Sequence, residues 1–212
     1  MNGATTILVM AKAPVPGRVK TRLCPPFTPE QAAELALAAL LDTLDAVALA
    51  PAARRVLVLD GEPGPWLPPG FDVQPQEGDG LDERIAHALA GAVGPALVIG
   101  MDTPQLTDRH LTLCWDSHDA WFGPAADGGY WALGLRKPDP DLVLGVPMSR
   151  SDTGAAQLHR LHDAGLRVGR LPTLRDVDTA ADAELVAVDA RDGRFAARLA
   201  GIARSREMTR VG

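Results

Sequence analysis

The sequence predicts an α/β layered domain built on a largely parallel sheet. Strands alternate with helices along the chain, which is the pattern of that class. One strand, Ala96-Leu-Val-Ile-Gly100, is apolar throughout, as a strand covered on both faces must be. Polar segments follow directly after several strands, where open α/β sheets place their ligands.

The elements follow in order. Ile7-Leu-Val-Met10 reads as a buried first strand. It runs into the loop Lys12-Ala-Pro-Val-Pro-Gly-Arg-Val-Lys-Thr-Arg22, whose cations Arg18, Lys20 and Arg22 fall at alternate positions. In an extended segment all three would point to one side, an arrangement suited to a chain of phosphates; a solvated basic loop is the alternative. Thr28-Pro-Glu-Gln31 has capping-box spacing and opens an Ala/Leu-rich helix to about Leu49. Arg54–Asp60 is the second strand, and residues 61–70, rich in Pro and Gly, form a loop. A short strand near Phe71–Val73 leads to the turn Gln76–Gly80 and a helix over Leu81–Val93 with one apolar face. After Ala96–Gly100 come a helix from about Thr107, a strand near Ala120–Gly123, and the break Gly128-Gly129 before the strand Tyr130–Leu135. A helix over Gly154–Ala164, a strand over Arg167–Leu171 and a terminal helix opening at Asp176–Asp182 complete the expected domain, 1–203, with 204–212 as a frayed polar tail.

Composition bounds the function. The chain has 212 residues, enough for one sizeable core, and 46% apolar with 23% charged residues is ordinary for a globular protein. A net charge of −6 argues against general nucleic-acid affinity, so a basic loop is a local feature. Of the three lysines, Lys12 and Lys20 share that loop. Cys24 and Cys114 lack metal-ligand spacing, and Cys114, set among Leu111, Leu113 and Trp115, is expected in the core. With no run of about twenty apolar residues and no signal peptide, a cytoplasmic protein without membrane contacts is expected.

Four segments carry the candidate chemistry: 12–22, 100–106, 123–129 and 176–182. Each follows an expected strand, so all four fall at one sheet edge. Asp102, directly after the buried strand, reads as a turn residue or as a Mg²⁺ ligand, since Mg²⁺ binds through one or two carboxylates plus substrate phosphates. Asp178 is the natural second carboxylate, with helix capping as the alternative for Asp176–Thr179. In Gly123–Trp131, Gly128 and Gly129 permit close backbone approach to a ligand, and Asp127 is placed to meet a ribose, a sugar hydroxyl or a metal-bound water; a hairpin turn is the alternative. The tryptophans read as packing residues, and His159 and His162, three apart on a helix, lack a third ligand for zinc. No Walker loop, GxGxxG or GxSxG is present, which excludes the P-loop, Rossmann and α/β-hydrolase patterns.

On these residues the chain resembles a family of uncharacterised bacterial GT-A-like transferases known as selenodomain-associated transferase 1 and often labelled glycosyltransferase. The matching pieces are AKAPVPGRVKTRL at 11–23, GMDTPQLT at 100–107, GPAADGGYWALGL at 123–135 and LRDVDTAAD at 174–182. More distantly it is similar to phospholactate and molybdenum-cofactor guanylyltransferases. The resemblance implies a three-layer αβα sandwich with a mostly parallel mixed sheet, the nucleotide-diphospho-sugar transferase (GT-A) fold. It implies a nucleotide over the first loop, against Ala11, Lys12, Ala13, Pro14, Gly17 and Arg22, with Gln76, Gly100, Asp127, Gly128 and Gly129 completing that side. It also implies Mg²⁺ (or Mn²⁺) on Asp102 and Asp178. Met101 and Met148 depart from the family pattern, as does the glycine spacing at Gly78-Asp-Gly80 before a helix whose N-terminus is a further candidate phosphate contact.

The expected activity is Mg²⁺-dependent nucleotidyl transfer from a nucleoside triphosphate to a small phosphorylated or acidic acceptor, with Arg18, Lys20 and Asp102 as the catalytic set. Glycosyl transfer from a nucleotide-sugar is the alternative, with Asp127 as base, and a non-catalytic nucleotide-binding module is a second. The protein is expected to act as a monomer or homodimer.

Overall fold

The computed structural model describes residues 5–211. Among them a seven-stranded sheet has the order β3-β2-β1-β4-β6-β5-β7, formed by β1 (Thr6–Lys12), β2 (Arg54–Asp60), β3 (Asp72–Pro75), β4 (Ala96–Gly100), β5 (Ala120–Pro124), β6 (Tyr130–Leu135) and β7 (Val168–Arg170). β1 pairs in parallel with β2 and β4, and β5 with β7. β6 runs antiparallel to both β4 and β5. The carboxyl ends of β1, β4, β5 and β7 therefore share one edge, so the four chemistry-bearing segments do meet there.

Strand alternation divides the core. Ile7, Val9 and Ala11 of β1 pack on helix α1 (Pro29–Leu49), while Leu8 and Met10 face α2 (Leu81–Ala90) and α3 (Thr153–Asp163). Helices α4 (Ala180–Asp189) and α5 (Arg194–Val211) pack against the outer side of α1 through Phe195, Val186, Leu35 and Ala39. The result is helices on both faces of a mixed, mostly parallel sheet, the three-layer arrangement expected. α1 starts at the predicted capping box: Thr28 Oγ1 accepts from Gln31 N (3.3 Å) and Gln31 Oε1 from Thr28 N (3.1 Å).

Several elements differ from expectation, each for a physical reason. The segment after Thr107 makes only a short 3-10 turn, Asp108–Leu111, and then extends. Extension alternates the side chains, so Leu113 and Trp115 are buried while Thr112 and Cys114 face solvent; Cys114 is not a core residue. The last strand is shortened to Val168–Arg170, and α2 stops at Ala90. Residues 204–211, expected as a frayed tail, continue α5, which Arg206 anchors by bonding Pro26 O and Gln31 Oε1 and by lying 4.6 Å over the Phe27 ring. Among the described residues no helix is long and apolar enough to cross a membrane.

Candidate functional site

The shared strand edge opens into a cavity of about 780 Å³. Its walls include Ala11, Lys12, Arg18, Lys20 and Arg22 from the first loop, Gly100 and Asp102 after β4, and Asp127 and Gly129 after β5. Asp176 and Asp178 come from the segment after β7, and Gln76 and Arg84 from the β3–α2 side. Ala13, Pro14, Gly17 and Gly128 lie outside the lining.

The first loop is not extended, and a turn rather than strand alternation brings Arg18, Lys20 and Arg22 to the one cavity. Arg18 N closes a turn on Val15 O (3.0 Å), Gly17 takes φ 76, and Lys20 itself takes the left-handed φ 50. Val19 is buried by this path. Lys20 turns inward until its side chain is only 7% exposed, while Arg18 and Arg22 stay at the surface. The Lys20 ammonium lies 2.7 Å from Asp102 Oδ2 and 3.4 Å from Asp178 Oδ1, and Arg22 Nη1 lies 3.4 Å from Asp178 Oδ2. Burial alone would lower the pKa of Lys20; Asp102, backed by Asp178 and Asp176, outweighs it and holds the amine above its ordinary range.

Asp176, in the sequence only a possible cap, is the most perturbed carboxylate here. The cap of α4 is Thr179, whose hydroxyl accepts from Asp182 N (3.2 Å) while Asp182 answers to Thr179 N (3.0 Å). That leaves Asp176 and Asp178 uncommitted to the helix. Val177 is buried between them and donates its N–H to Asp102 O (2.9 Å), so the extended Asp-Val-Asp segment turns both carboxylates toward the cavity. Gln105 Nε2, bonded to Arg175 O (2.7 Å), stitches the same two segments together. Burial, with the Asp102, Asp127 and Asp178 charges nearby, pushes Asp176 up to about 7. Asp102 Oδ1 and Asp176 Oδ1 are buried without a hydrogen-bond partner. The alternation of Asp176 and Asp178 about an apolar residue was the available signal.

The neighbouring residues have distinct duties. Met101 is buried, and its sulfur accepts from Lys12 N at 3.2 Å, so the side chain points into the core rather than at Asp102's carboxylate. Gln76 lines the cavity, but its amide donates to Ala11 O (2.8 Å) and Val58 O (3.0 Å) and accepts from Arg84 (3.3 Å), which makes it a brace for the end of β1. Arg84, not singled out in the sequence, also bonds Gly78 O (3.0 Å) and Asp60 Oδ2 (3.3 Å). Just before α2, Glu83 accepts from the amides of Asp79 (2.7 Å) and Gly80 (3.4 Å), and Asp79 and Leu81 lie in the cavity wall. Asp127 is a turn residue that also lines the cavity: its Oδ1 accepts from Gly129 N at 2.8 Å. Gly128 has φ 92, and a Cβ there would sit 1.9 Å from Ser151 O; Gly154 N meanwhile donates to Gly128 O (2.9 Å). The β5–β6 turn is thus locked onto the start of α3, and together they form the wall that carries Ser149, Arg150 and Ser151.

The residues fit a divalent cation by their chemistry. Asp102, Asp176 and Asp178 offer hard oxygen donors, and the unpaired Oδ1 atoms of the first two are buried polar groups in want of a partner. Among the described residues no set of three or more His, Cys, Asp or Glu side chains is arranged to hold a metal ion. Lys20 stands between two of the carboxylates instead.

The seven-stranded mixed sheet with helices on both sides, and the cavity over its strand ends, make up a nucleotide-diphospho-sugar transferase fold, which its structural relatives share. Residues 35–150 match the family described as uncharacterized protein conserved in bacteria (DUF2064), and the chain belongs to that family. No protein of curated function matches the sequence. A Desulfovibrio desulfuricans protein, provisionally described as a nucleotide-diphospho-sugar transferase, superposes with a TM-score of 0.79 at 29% identity, covering 86% of this chain and 85% of that one. The 2-C-methyl-D-erythritol 4-phosphate cytidylyltransferase of Thermus thermophilus has a TM-score of 0.54 at 16% identity, covering 90% and 100%. A Mycobacterium tuberculosis protein solved with manganese has a TM-score of 0.52 at 23% identity, covering 86% and 98%. At such identities the last two share the fold.

Proposed function

We propose that this protein is a divalent-metal-dependent transferase that moves a nucleotidyl group from a nucleoside triphosphate to a small phosphorylated or acidic acceptor. The observation that carries the reading is the meeting of Lys20 with Asp102, Asp176 and Asp178 in the wall of the cavity, two of the carboxylate oxygens being buried and unpaired. Asp102 and Asp178, joined by Asp176, would hold Mg²⁺ or Mn²⁺, which supplies charge neutralisation and a template for phosphate oxygens. An acceptor oxygen attacks the α-phosphorus, the new P–O bond forms, the α–β anhydride bond breaks, and pyrophosphate leaves. Lys20 and Arg22 lie where negative charge grows on the phosphates, and Arg18, which makes no ion pair among the described residues, is free to chelate them. The nucleotide lies over the first loop, against Ala11 and Lys12, with Gly100 and Gly129 flanking it. Catalysis on this reading is chiefly positioning and electrostatics.

The Desulfovibrio relative favours a second reading, glycosyl transfer from a nucleotide-sugar, in which the free Oδ2 of Asp127 is the candidate base. The two differ in products. Incubation with nucleoside triphosphates and nucleotide-sugars, Mg²⁺ and a set of acidic and phosphorylated acceptors is expected to release pyrophosphate. Release of nucleoside diphosphate instead would transfer the assignment to the glycosyl reading, and nucleotide binding without either product would mark a non-catalytic module.

A further inference from the structure

The carboxylates best suited to a metal already serve a cation of the chain itself. Lys20 bridges Asp102 and Asp178 from a buried position, and its backbone adopts φ 50, a conformation uncommon for residues other than glycine. The same ammonium is the cation best placed to meet phosphate. It cannot serve both partners at once through the same protons, nor can Asp102 Oδ2 offer one lone pair to the lysine and to a metal.

We propose that Lys20 is a built-in placeholder: it holds Asp102 and Asp178 together in the metal-free protein, yields those oxygens when a divalent cation enters, and is thereby released to the phosphates of the nucleotide. This rests on the nucleotide–metal reading of the site. The charges explain the device. Without a cation at this point, Asp102, Asp176 and Asp178 would be like charges crowded at a half-buried wall, which is costly. One ammonium offsets a single charge and leaves Asp102 Oδ1 and Asp176 Oδ1 unpaired. A divalent ion offsets two and has room for further oxygens. Arg22, holding Asp178 Oδ2 from a side chain 74% exposed, can stay in place in either state. The consequence is synergy. A metal entering alone must strip Lys20 of its ion pairs, whereas bound phosphates give the released ammonium a new partner, so metal and nucleotide each strengthen the other's binding.

Mn²⁺ alone, titrated into wild-type, Lys20→Met and Asp102→Asn proteins and followed by the EPR signal of free Mn²⁺, tests this. Removal of Lys20 is expected to tighten Mn²⁺ binding at least tenfold, and Asp102→Asn to abolish it. Equal or weaker Mn²⁺ affinity in folded Lys20→Met, with binding still lost in Asp102→Asn, overturns the placeholder and leaves the metal reading standing. No Mn²⁺ binding by any of the three, with or without nucleoside triphosphate, overturns both. A second measurement needs only the wild-type protein, which has three lysines, Lys12, Lys20 and Lys137. Brief acetylation followed by peptide mass spectrometry reports each amine separately. Saturating Mn²⁺ is expected to raise the labelling of Lys20 several-fold while Lys12 and Lys137 stay constant; unchanged or reduced labelling of Lys20 overturns the proposal.

Discussion

Replacing Asp176 by Asn should stabilise the metal-free protein at alkaline pH and leave it unchanged near pH 4. The carboxyl group is pushed from 3.8 to about 7 by burial and by the charges of Asp102, Asp127 and Asp178. Between those values the folded chain keeps a proton that the unfolded chain has released. Stability therefore falls as pH rises through this window and levels off above about 7. Three pK units at about 1.4 kcal/mol each give a loss of at most about 4 kcal/mol, an upper bound because part of Asp176 remains exposed. Asn fills the same space without ionising and escapes the loss. For a chain of this length 1 kcal/mol moves Tm by about 2–4 °C, so the two melting curves, coincident at pH 4, should separate by at most about 8–16 °C at pH 8 in chelator. Parallel pH profiles for the two proteins, or a variant that melts lower at pH 8, would refute the argument. Saturating Mn²⁺ at pH 8 should then stabilise the wild type more than Asp176→Asn, and an equal shift in both would remove Asp176 from the proposed ligand set.

Other substitutions separate structural from chemical roles. Lys20→Ala should lower kcat/KM for pyrophosphate release ten- to a hundredfold, since a charge-assisted contact is worth about 1.5–3 kcal/mol; unaltered turnover in a folded variant would remove the residue from the mechanism. Gly128→Ala meets both a Cβ clash with Ser151 O and a positive φ, so a loss of about 1–3 kcal/mol is expected in denaturant melts, and a neutral result would show that the turn can shift. Met101→Leu keeps the core volume and should cost less than about 1.5 kcal/mol while leaving Mn²⁺ affinity intact; a lost affinity would place the thioether's contact with Lys12 N in the working site. Trp115→Phe removes the buried bond from the indole to Thr5 Oγ1 (2.8 Å) and should cost about 1 kcal/mol or more in the same melts, with an unchanged midpoint counting against that bond.

The layered architecture was legible because its signals are local and periodic. β4 is apolar throughout, the Thr28–Gln31 capping box starts α1 where its spacing says, and the polar segments follow the strands they should. The site was legible as a strand edge but not as a set of directions. Lys20 points inward because two positive-φ residues reverse the loop, and nothing in the alternation of Arg18, Lys20 and Arg22 records this. Asp176 stood in a run with two other good capping residues, Asp178 and Thr179, and the tertiary bond from Val177 to Asp102 is what sets its direction. Arg84, bonded across to Asp60 and Gln76, likewise depends on contacts between elements. Cys114 was misplaced for a simpler reason, since apolar neighbours at 111, 113 and 115 mark a buried face with a period of two that passes over it.

Whether Lys20 and the three aspartates form a nucleotide–metal site can be read most directly from thermal shift with nucleoside triphosphates and nucleotide-sugars, each with and without Mg²⁺. A ligand at about a hundred times its Kd adds about 2.7 kcal/mol, which for this length is a shift of about 5–10 °C. At least one nucleotide should give such a shift, larger with Mg²⁺ than without it, and Asp102→Asn should lose it. No shift with any nucleotide at millimolar concentration, or one indifferent to both Mg²⁺ and Asp102, would contradict such a site.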